Sequence, residues 1–344
     1  MDRTSDYDYY LPEDLIAQTP LARGESRLLT LNRSDGRMQI GPFSELLDHL
    51  RPGDVLVVND TRVTARRYRS SDAAGRKGEA LLLQPLDDRC WTALVYPGRR
   101  FPPGGTIHLE GTGEANASAR VAAVTPDGGR VLEFETTDER DRLAFGGAAP
   151  LPPYIHERLE DEDRYQTVYH RSDPAMPGGS AAAPTAGLHF TEEMLERARN
   201  LGCTVAPITL HVGVDTFRPV RTEDPGEHPM HGEWYSVDAV AADAIQRRSG
   251  RVIAVGTTAV RALESAADES GRIVAAAGRT HLYIRPGYRF RVVDAILTNF
   301  HLPRSTLLMM ICAFAGREPV MEAYAAAVSE RLRFYSFGDA MLIL

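Results

Sequence analysis

Lysine is almost absent from this sequence. Lys77 is the single lysine, so arginine supplies nearly all of the positive charge carried by the 39 basic residues. This bias is more typical of a GC-rich genome than of selection for the forked guanidinium group. The 47 acidic residues outnumber the basic ones and give a net charge of −8, which repels nucleic acid in general. Any nucleic-acid partner must therefore be met by a local basic patch.

Cysteine is also scarce. Cys90, Cys203 and Cys312 lie far apart beside apolar residues, in odd number and without the spacing of metal ligands. We expect reduced thiols in the core of a cytoplasmic protein.

Long apolar runs are missing as well. The most apolar stretch, Thr306–Ala315, is too short to span a bilayer, and the first residues are acidic and aromatic. The sequence therefore indicates neither secretion nor membrane insertion, and we expect no membrane partner.

The patterns of a serine nucleophile elbow and of a glycine-rich dinucleotide loop are absent too. Four histidines and one glutamate form a potential metal set, since neutral imidazoles and a carboxylate suit a divalent ion: His189, His211, His228, His231 and Glu233. The His-x-x-His-x-Glu spacing of the last three matches no strong metal signature. We therefore expect substrate contact, acid–base work or structural hydrogen bonding, and no metal.

The chain is long enough for two domains, with 344 residues of which 43% are hydrophobic. Continuous apolar runs that end in polar residues predict buried strands over Asp54–Asn59, Cys203–His211, Arg251–Val255 and Val292–Thr298. Capping residues and apolar spacing predict helices between or after them, over Thr191–Asn200, Thr257–Ala267, Ser305–Ala315 and Pro319–Arg331. Strands that alternate with helices indicate an α/β domain with a mostly parallel sheet.

Residues 66–148 break this rhythm. Short strands there alternate with turn signals, without amphipathic helices, which predicts a small antiparallel β-barrel domain. Since α/β patterning occurs on both sides, we expect the barrel to be inserted into a discontinuous α/β domain of residues 1–65 and 149–344.

Two loop-like segments concentrate the functional residues: Gly178–Phe190, which contains Thr185, and Asn299–Thr306. In open α/β sheets ligands bind beyond the carboxyl ends of the strands, and this rule brings further polar residues toward one crevice: Asp60, Thr61, Arg62, His211, Thr257, Thr258, Asn299 and His301. The helix start at Thr257 could hold a carboxylate or phosphate oxygen, although such residues can equally be helix caps. Arg261 and Glu264, three apart on this helix, are predicted to form an ion pair.

A basic run lies at the predicted domain junction. It contains Arg62, Arg66, Arg67, Arg69, Arg76 and Lys77, and Asp72 is the single acid that opposes it before Glu79. The run is either a solvated surface or the place where a phosphate backbone binds.

Several long strings carry a family resemblance, in this order along the chain: LPEDLIAQTP, GDVLVVNDTRV, LPPYI with RYQTVY, GSAAAPTAGLHF, ITLHVG, HPMHGEWY, VGTTAVRALES, ILTNFHLPRSTLLMM and RFYSFGDAML. Together they resemble the S-adenosylmethionine:tRNA ribosyltransferase-isomerases of queuosine biosynthesis. The resemblance implies an α/β domain with an inserted barrel, and a transferase that has no permanently bound cofactor.

The implied reaction uses S-adenosylmethionine as a co-substrate and ribosyl donor. The ribosyl unit moves to 7-aminomethyl-7-deazaguanine at the wobble position of tRNA and rearranges, which gives epoxyqueuosine and releases adenine and methionine. Adenine must be protonated to leave, and a proton must leave the carbon next to the sulfonium.

The resemblance and this chemistry together suggest roles for the residues. Proton transfer is assigned to His189, His211, His231 and Glu233. Substrate binding is assigned to Asp60 and Asn299 at sugar hydroxyls, to Arg62, Thr257, Thr258 and Arg261 at the donor carboxylate, and to Thr61, Thr185 and His301. Arg66, Arg67 and Arg69 are assigned to tRNA, and a monomer is expected.

The sequence departs from the family pattern at Ala181, Asp215, Leu332 and Phe337. Asp215 adds a charge close to His211 and could change the acceptor. Three alternatives therefore stay open: a paralogue with a small-molecule acceptor, a metal-dependent hydrolase built on the histidines, and a catalytically silent tRNA-binding protein.

Overall fold

The chain is described here from a computed structural model, which covers residues 2–111, 116–126, 128–171, 179–213, 219–230 and 232–344. It divides into two compact units. One contains the residues up to Thr61, Pro152–Arg171 and Ala183–Leu344, and the other contains Arg62–Leu151 with a short later segment that ends at Ala182. The sequence-based boundaries, residues 66 and 148, lie inside Arg62–Leu151 and stay predictions.

The strands are β1 (Arg27–Leu31), β2 (Met38–Pro42), β3 (Val55–Asn59), β4 (Arg66–Asp72), β5 (Lys77–Pro85), β6 (Cys90–Tyr96), β7 (Thr106–Glu110), β8 (Ala117–Val124), β9 (Arg130–Phe134), β10 (Thr204–Leu210), β11 (Glu233–Val237), β12 (Val252–Val255), β13 (Ala276–Thr280), β14 (Ala295–Asn299) and β15 (Ala340–Ile343). The α-helices are α1 (Thr137–Gly146), α2 (Glu192–Asn200), α3 (Ala239–Gln246), α4 (Thr257–Ala266), α5 (Thr306–Ala315) and α6 (Arg317–Ser329).

In the part of the first unit that the structure describes, nine strands form one sheet in the order β13-β11-β10-β3-β12-β14-β15-β1-β2. The four central strands, β10, β3, β12 and β14, are mutually parallel. Every residue of β3, β12 and β14 is buried, which is why these strands are continuous apolar runs. The predicted α/β class is confirmed, and antiparallel pairings at β11, β13, β15 and β2 extend the sheet on both sides.

The helix starts follow the predicted capping residues. The Thr191 side chain accepts a hydrogen bond from the Met194 amide at the start of α2, and Ser305 accepts one from Leu308 at the start of α5. Each cap satisfies an amide that has no partner inside the helix. Since α4 and α5 follow β12 and β14, their first turns lie at the carboxyl ends of the parallel strands.

The second unit is a closed antiparallel barrel with the order β4-β5-β6-β9-β8-β7, so the predicted barrel is confirmed. Within this unit, β4 and α1 were not predicted from the sequence. β4 coincides with the basic run, in which exposed Arg67 and Arg69 alternate with buried Tyr68 and Ser70. The period of two is present, but arginine and serine are weak strand formers and concealed it.

The structure shows the state of the cysteines and the character of the described helices. None of the cysteines forms a disulfide, and Cys203 and Cys312 are buried as predicted, whereas Cys90 is only half-buried on the barrel. Among the described residues there is no helix with the length and apolar character needed to cross a membrane.

Candidate functional site

A solvent-connected cavity of about 510 Å³ lies beyond the carboxyl ends of β12 and β14. Its lining comes from four places in the sequence: the loop Ala183–Ala186, the turn Gly256–Thr258, the segment Thr298–Leu302 and the pair Tyr335 and Ser336. Tyr154, Val212 and Leu307 complete it. The position is the one expected for a ligand of an α/β sheet.

The first turn of α4 forms one wall of the cavity. Gly256 precedes the helix at φ +90°, a conformation that favours glycine, and a Cβ at this position would lie 3.5 Å from the Ala186 Cβ. Thr257 and Thr258 are buried, and Thr258 Oγ1 accepts a hydrogen bond of 3.1 Å from Asn59 Nδ2. The positive end of the helix dipole therefore faces the cavity, which suits a carboxylate.

Asn299 also lines the cavity and is 3% exposed. Its Nδ2 donates to the Tyr335 carbonyl at 3.0 Å and lies 3.3 Å from His189 Nε2. Within the described residues its Oδ1 is buried without a hydrogen-bond partner. A buried acceptor left unsatisfied costs ~1–3 kcal/mol, so this oxygen indicates a ligand donor.

Tyr335 has φ +71°, which is a strained conformation for a bulky side chain. The residue directs its carbonyl to Asn299 and packs its ring against Tyr154, with 4.7 Å between ring centroids. The Tyr154 hydroxyl is in turn 2.6 Å from Ser336 Oγ. Backbone strain is common at ligand sites, and this segment lines the cavity.

His301 also lines the cavity and is buried. Its Nε2 is 2.8 Å from Thr298 Oγ1, and its amide donates to the Tyr324 hydroxyl. Burial lowers the pKa of His301 to about 3, so the ring is neutral at physiological pH. With Thr185, Thr257, Thr258 and Asn299, it makes five predicted substrate-binding residues that the structure brings to one cavity.

A second polar group lies at the ends of β3 and β10. Buried Asp60 accepts a hydrogen bond of 2.6 Å from Thr209 Oγ1 and forms an ion pair with Arg171. Burial raises the pKa of Asp60, against the opposing effects of these two partners. Thr61 Oγ1 is 2.8 Å from His211 Nδ1.

The ring of His211 is half-buried and stacks on Trp234, with 5.0 Å between centroids. Asp60, Thr61 and His211 do not line the cavity themselves, but Val212, the neighbour of His211, does. Four of the residues predicted for a single crevice line the cavity, whereas Asp60, Thr61 and His211 form a separate polar group at neighbouring strand ends, so the single crevice stays a prediction.

Glu233 and Arg261 form a buried ion pair. The carboxylate also accepts a hydrogen bond of 2.7 Å from the Gly213 amide, and Arg261 Nε donates to the Leu282 carbonyl at 3.1 Å. Both side chains are committed to each other and to backbone groups, away from the cavity lining. Their assigned roles in proton transfer and carboxylate binding stay predictions.

The predicted ion pair between Arg261 and Glu264 is wrong. Glu264 instead accepts hydrogen bonds of 3.1 and 3.2 Å from the amides of Val292 and Val293, and one from the Tyr288 hydroxyl. The spacing along α4 permits the pair, but each side chain has a better-aligned partner outside the helix. The carboxylate thereby pairs with backbone amides of the loop that precedes β14.

Three predicted features lie outside the described residues: His231, Asp215 and Gly178. Arg62 is exposed and belongs to the barrel unit, as do Arg66, Arg67 and Arg69 on β4. No group of three or more histidine, cysteine or acidic side chains that could hold a metal ion is found among the residues whose placement is described.

Several residues that line the site were missed. Tyr154, Tyr335 and Ser336 lie at the cavity, and Arg171 pairs with Asp60. The strings LPPYI and RFYSFGDAML contain the first three, yet no periodicity or spacing links them to the strand ends. The string similarity was the one signal that could have found them.

Fold and site define the class: an α/β protein with a small-molecule cavity beyond its parallel strands and a separate six-stranded barrel. The family model of the queuosine biosynthesis proteins matches residues 4–343, so the chain belongs to this family, as the sequence predicted.

Individual relatives agree with this assignment. The S-adenosylmethionine:tRNA ribosyltransferase-isomerase of Symbiobacterium thermophilum is 50% identical, with 99% of this chain and all of the relative covered. The corresponding protein of Moorella thermoacetica is also 50% identical at the same coverage. The crystal structure of an S-adenosylmethionine tRNA ribosyltransferase from Thermotoga maritima is 37% identical, covers 99% of this chain and 100% of that one, and gives a TM-score of 0.56.

Proposed function

We propose that this protein transfers and isomerises the ribosyl moiety of S-adenosylmethionine onto 7-aminomethyl-7-deazaguanine at the tRNA wobble position. The products are epoxyqueuosine in tRNA, adenine and methionine. The observation that carries the proposal is the 50% identity, over 99% of the chain, to relatives named for this activity. Both substrates belong to the cytoplasm, where we place the reaction, and we expect the protein to act as a monomer.

Two features of the cavity support binding of the donor there. The first turn of α4, with Thr257 and Thr258, offers its positive dipole end to the methionine carboxylate. The unpartnered Oδ1 of Asn299 can accept a hydrogen bond from a donor group of the nucleoside. Arg261 is less suited to the carboxylate than the helix end, because Glu233 already neutralises it.

Among the described histidines, His211 is the best placed for proton transfer. It is half-buried, it lies next to the cavity-lining Val212, and Thr61 Oγ1 orients its Nδ1. Burial lowers the pKa of His189 to about 4 and that of His301 to about 3, so at neutral pH neither ring carries the imidazolium proton that a general acid would donate. His231 and Glu233 remain further proposals for this role.

The test is incubation with S-adenosylmethionine and tRNA that carries the aminomethyl base, followed by mass analysis of the nucleosides. We expect epoxyqueuosine together with equimolar adenine and methionine, and no product from tRNA that lacks the modified base. Transfer of a methyl group, or modification of a small acceptor alone, would contradict the proposal. Release of no adenine despite tRNA binding would mean a silent binding protein, and loss of activity on chelation would favour the metal-dependent alternative.

The tRNA surface is proposed to be the outer face of β4. Arg67 and Arg69 are exposed there. Arg66 is half-buried, because its side chain lies on the opposite face of β4. The Arg67 guanidinium lies 4.0 Å from the exposed Glu79 carboxylate, so the attraction between these two charges is weak. Because the chain has a net charge of −8, a local basic patch of this kind is the surface that can bind the phosphate backbone of tRNA.

Replacing Arg66, Arg67 and Arg69 together with alanine should weaken tRNA binding by roughly 1–3 kcal/mol and lower the salt slope by ~0.7–0.9 per lost contact. The measurement is tRNA affinity against salt concentration. S-adenosylmethionine affinity should stay unchanged, because the donor is assigned to the cavity of the α/β unit. The matched control replaces three exposed arginines of the α/β unit: Arg197 and Arg199 on α2, and Arg247 directly after α3. Equal salt slopes for the two triple variants would refute this surface.

A further inference from the structure

His189 is enclosed by polar and aromatic partners beside the cavity. Its Nδ1 lies 2.7 Å from Ser26 Oγ, its Nε2 lies 3.3 Å from Asn299 Nδ2, and its ring centroid is 4.9 Å from that of Phe43. The residue is 7% exposed and does not line the cavity beyond β12 and β14; it lines a second pocket with Ser26 and Ser336. Its contact with the lining of the first cavity is through Asn299.

The hydrogen-bond partners determine the protonation of this ring. A carbonyl oxygen can only accept, so the Asn299 atom that is 3.0 Å from the Tyr335 carbonyl must be the amide nitrogen. The same nitrogen faces His189 Nε2, which must then be an unprotonated acceptor. The ring proton is thus on Nδ1 and is donated to Ser26 Oγ. Burial lowers the pKa of His189 to about 4, in keeping with a neutral ring.

The orientation of the Asn299 amide follows from these contacts. Both hydrogens of Nδ2 have acceptors, one in Tyr335 and one in His189. A reversed amide would place its oxygen against a carbonyl and an unprotonated ring nitrogen, so it is disfavoured. Oδ1 is thereby kept as the free polar atom of a cavity-lining side chain.

We propose that His189 is a positioning residue: it fixes the Asn299 amide so that Oδ1 is presented to an N–H or O–H donor of the nucleoside bound in the cavity. His189 then transfers no proton in the reaction, and its neutral Nδ1–H tautomer, fixed by Ser26, is the form that the site needs. Only the identity of the ligand, S-adenosylmethionine, rests on the proposed function.

Calorimetric titration with S-adenosylmethionine tests the proposal through two variants. In His189→Gln the side-chain oxygen can take the place of Nε2 and keep an acceptor for Asn299, whereas in His189→Asn the side chain is one carbon shorter and cannot. We expect Kd to rise roughly 3- to 10-fold in His189→Asn, the equivalent of one hydrogen bond, and to return to near the parent value in His189→Gln. His108→Asn is the matched control, because His108 also pairs with a serine, at 2.8 Å, on the barrel.

An unchanged Kd in His189→Asn would overturn the proposal. So would a His189→Gln protein that binds the donor normally but loses turnover, since His189 would then be transferring a proton. If His189→Asn does not fold, ¹⁵N NMR of the histidine-labelled parent decides. A ring protonated on Nδ1 that does not titrate between about pH 5 and 8 and is missing in His189→Gln supports the proposal, and a proton on Nε2 overturns it.

The NMR measurement needs no ligand. A parent protein that fails to bind S-adenosylmethionine would therefore refute the proposed function while the tautomer of His189 is still determined.

Discussion

Replacing Arg261 with methionine should lower the free energy of unfolding by ~3–5 kcal/mol, because it leaves the Glu233 carboxylate buried without its counter-ion. Both side chains of the pair are about 95% buried. The Gly213 amide still donates to Glu233, but a single amide does not replace the charge of the guanidinium. The measurement is urea unfolding of parent and variant near pH 7.5.

Two further variants separate the causes. Arg247→Met removes an exposed partner of Asp243 on α3 and should cost less than ~1 kcal/mol. The double variant Arg261→Met/Glu233→Met replaces the pair with apolar side chains and should recover much of the lost stability. A double variant that is no more stable than Arg261→Met would show that packing, and not the uncompensated charge, caused the loss.

The central strands could be predicted because their environment is symmetric. β3, β12 and β14 are buried on both faces, so each is a continuous apolar run that a local window detects. The parallel pairing of β1 with β15 could not be predicted in the same way. Leu28 pairs with Ala340 and Leu31 with Ile343, across more than 300 residues, and no local pattern encodes such a pairing.

The cavity was predictable where it follows from strand ends. Thr257, Thr258, Asn299 and His301 come directly after β12 and β14 or close to their ends, so the topology rule places them together. Tyr335 is different, because it reaches the cavity through a left-handed backbone conformation that no propensity predicts for tyrosine. The hydrogen-bond and ion-pair partners of the polar residues were also not predictable. Glu264 accepts hydrogen bonds from backbone amides, and Asp60 forms an ion pair with Arg171, which is remote in the sequence.

Acidification should destabilise the protein well above the pH at which ordinary carboxylates titrate. His189 and His301 are buried and neutral, and burial lowers their pKa from 6.5 to about 4 and about 3. Since the unfolded chain takes up these protons first, the stabilisation is complete above pH ~6.5 and is lost progressively as the pH falls through the folded pKa values. For His189 alone the loss between pH ~6.5 and ~4 is about 3 kcal/mol, and His301 adds to the same slope.

Asp60 acts in the opposite direction, because burial raises its pKa and a protonated Asp60 is therefore favoured in the folded state. Its contribution is present at low pH and is lost as the pH rises, so it offsets part of the histidine effect in acid.

Urea unfolding at several pH values from 7.5 to 4.5 measures the net effect of these groups on the free energy of unfolding. His189→Gln removes one titrating ring and keeps its acceptor, so the slope of unfolding free energy against pH between about 6.5 and 4.5 should flatten in this variant by up to ~1.4 kcal/mol per pH unit. A variant with the same slope as the parent would mean that His189 is already protonated in the folded protein, which the hydrogen bond from Asn299 Nδ2 to Nε2 does not allow.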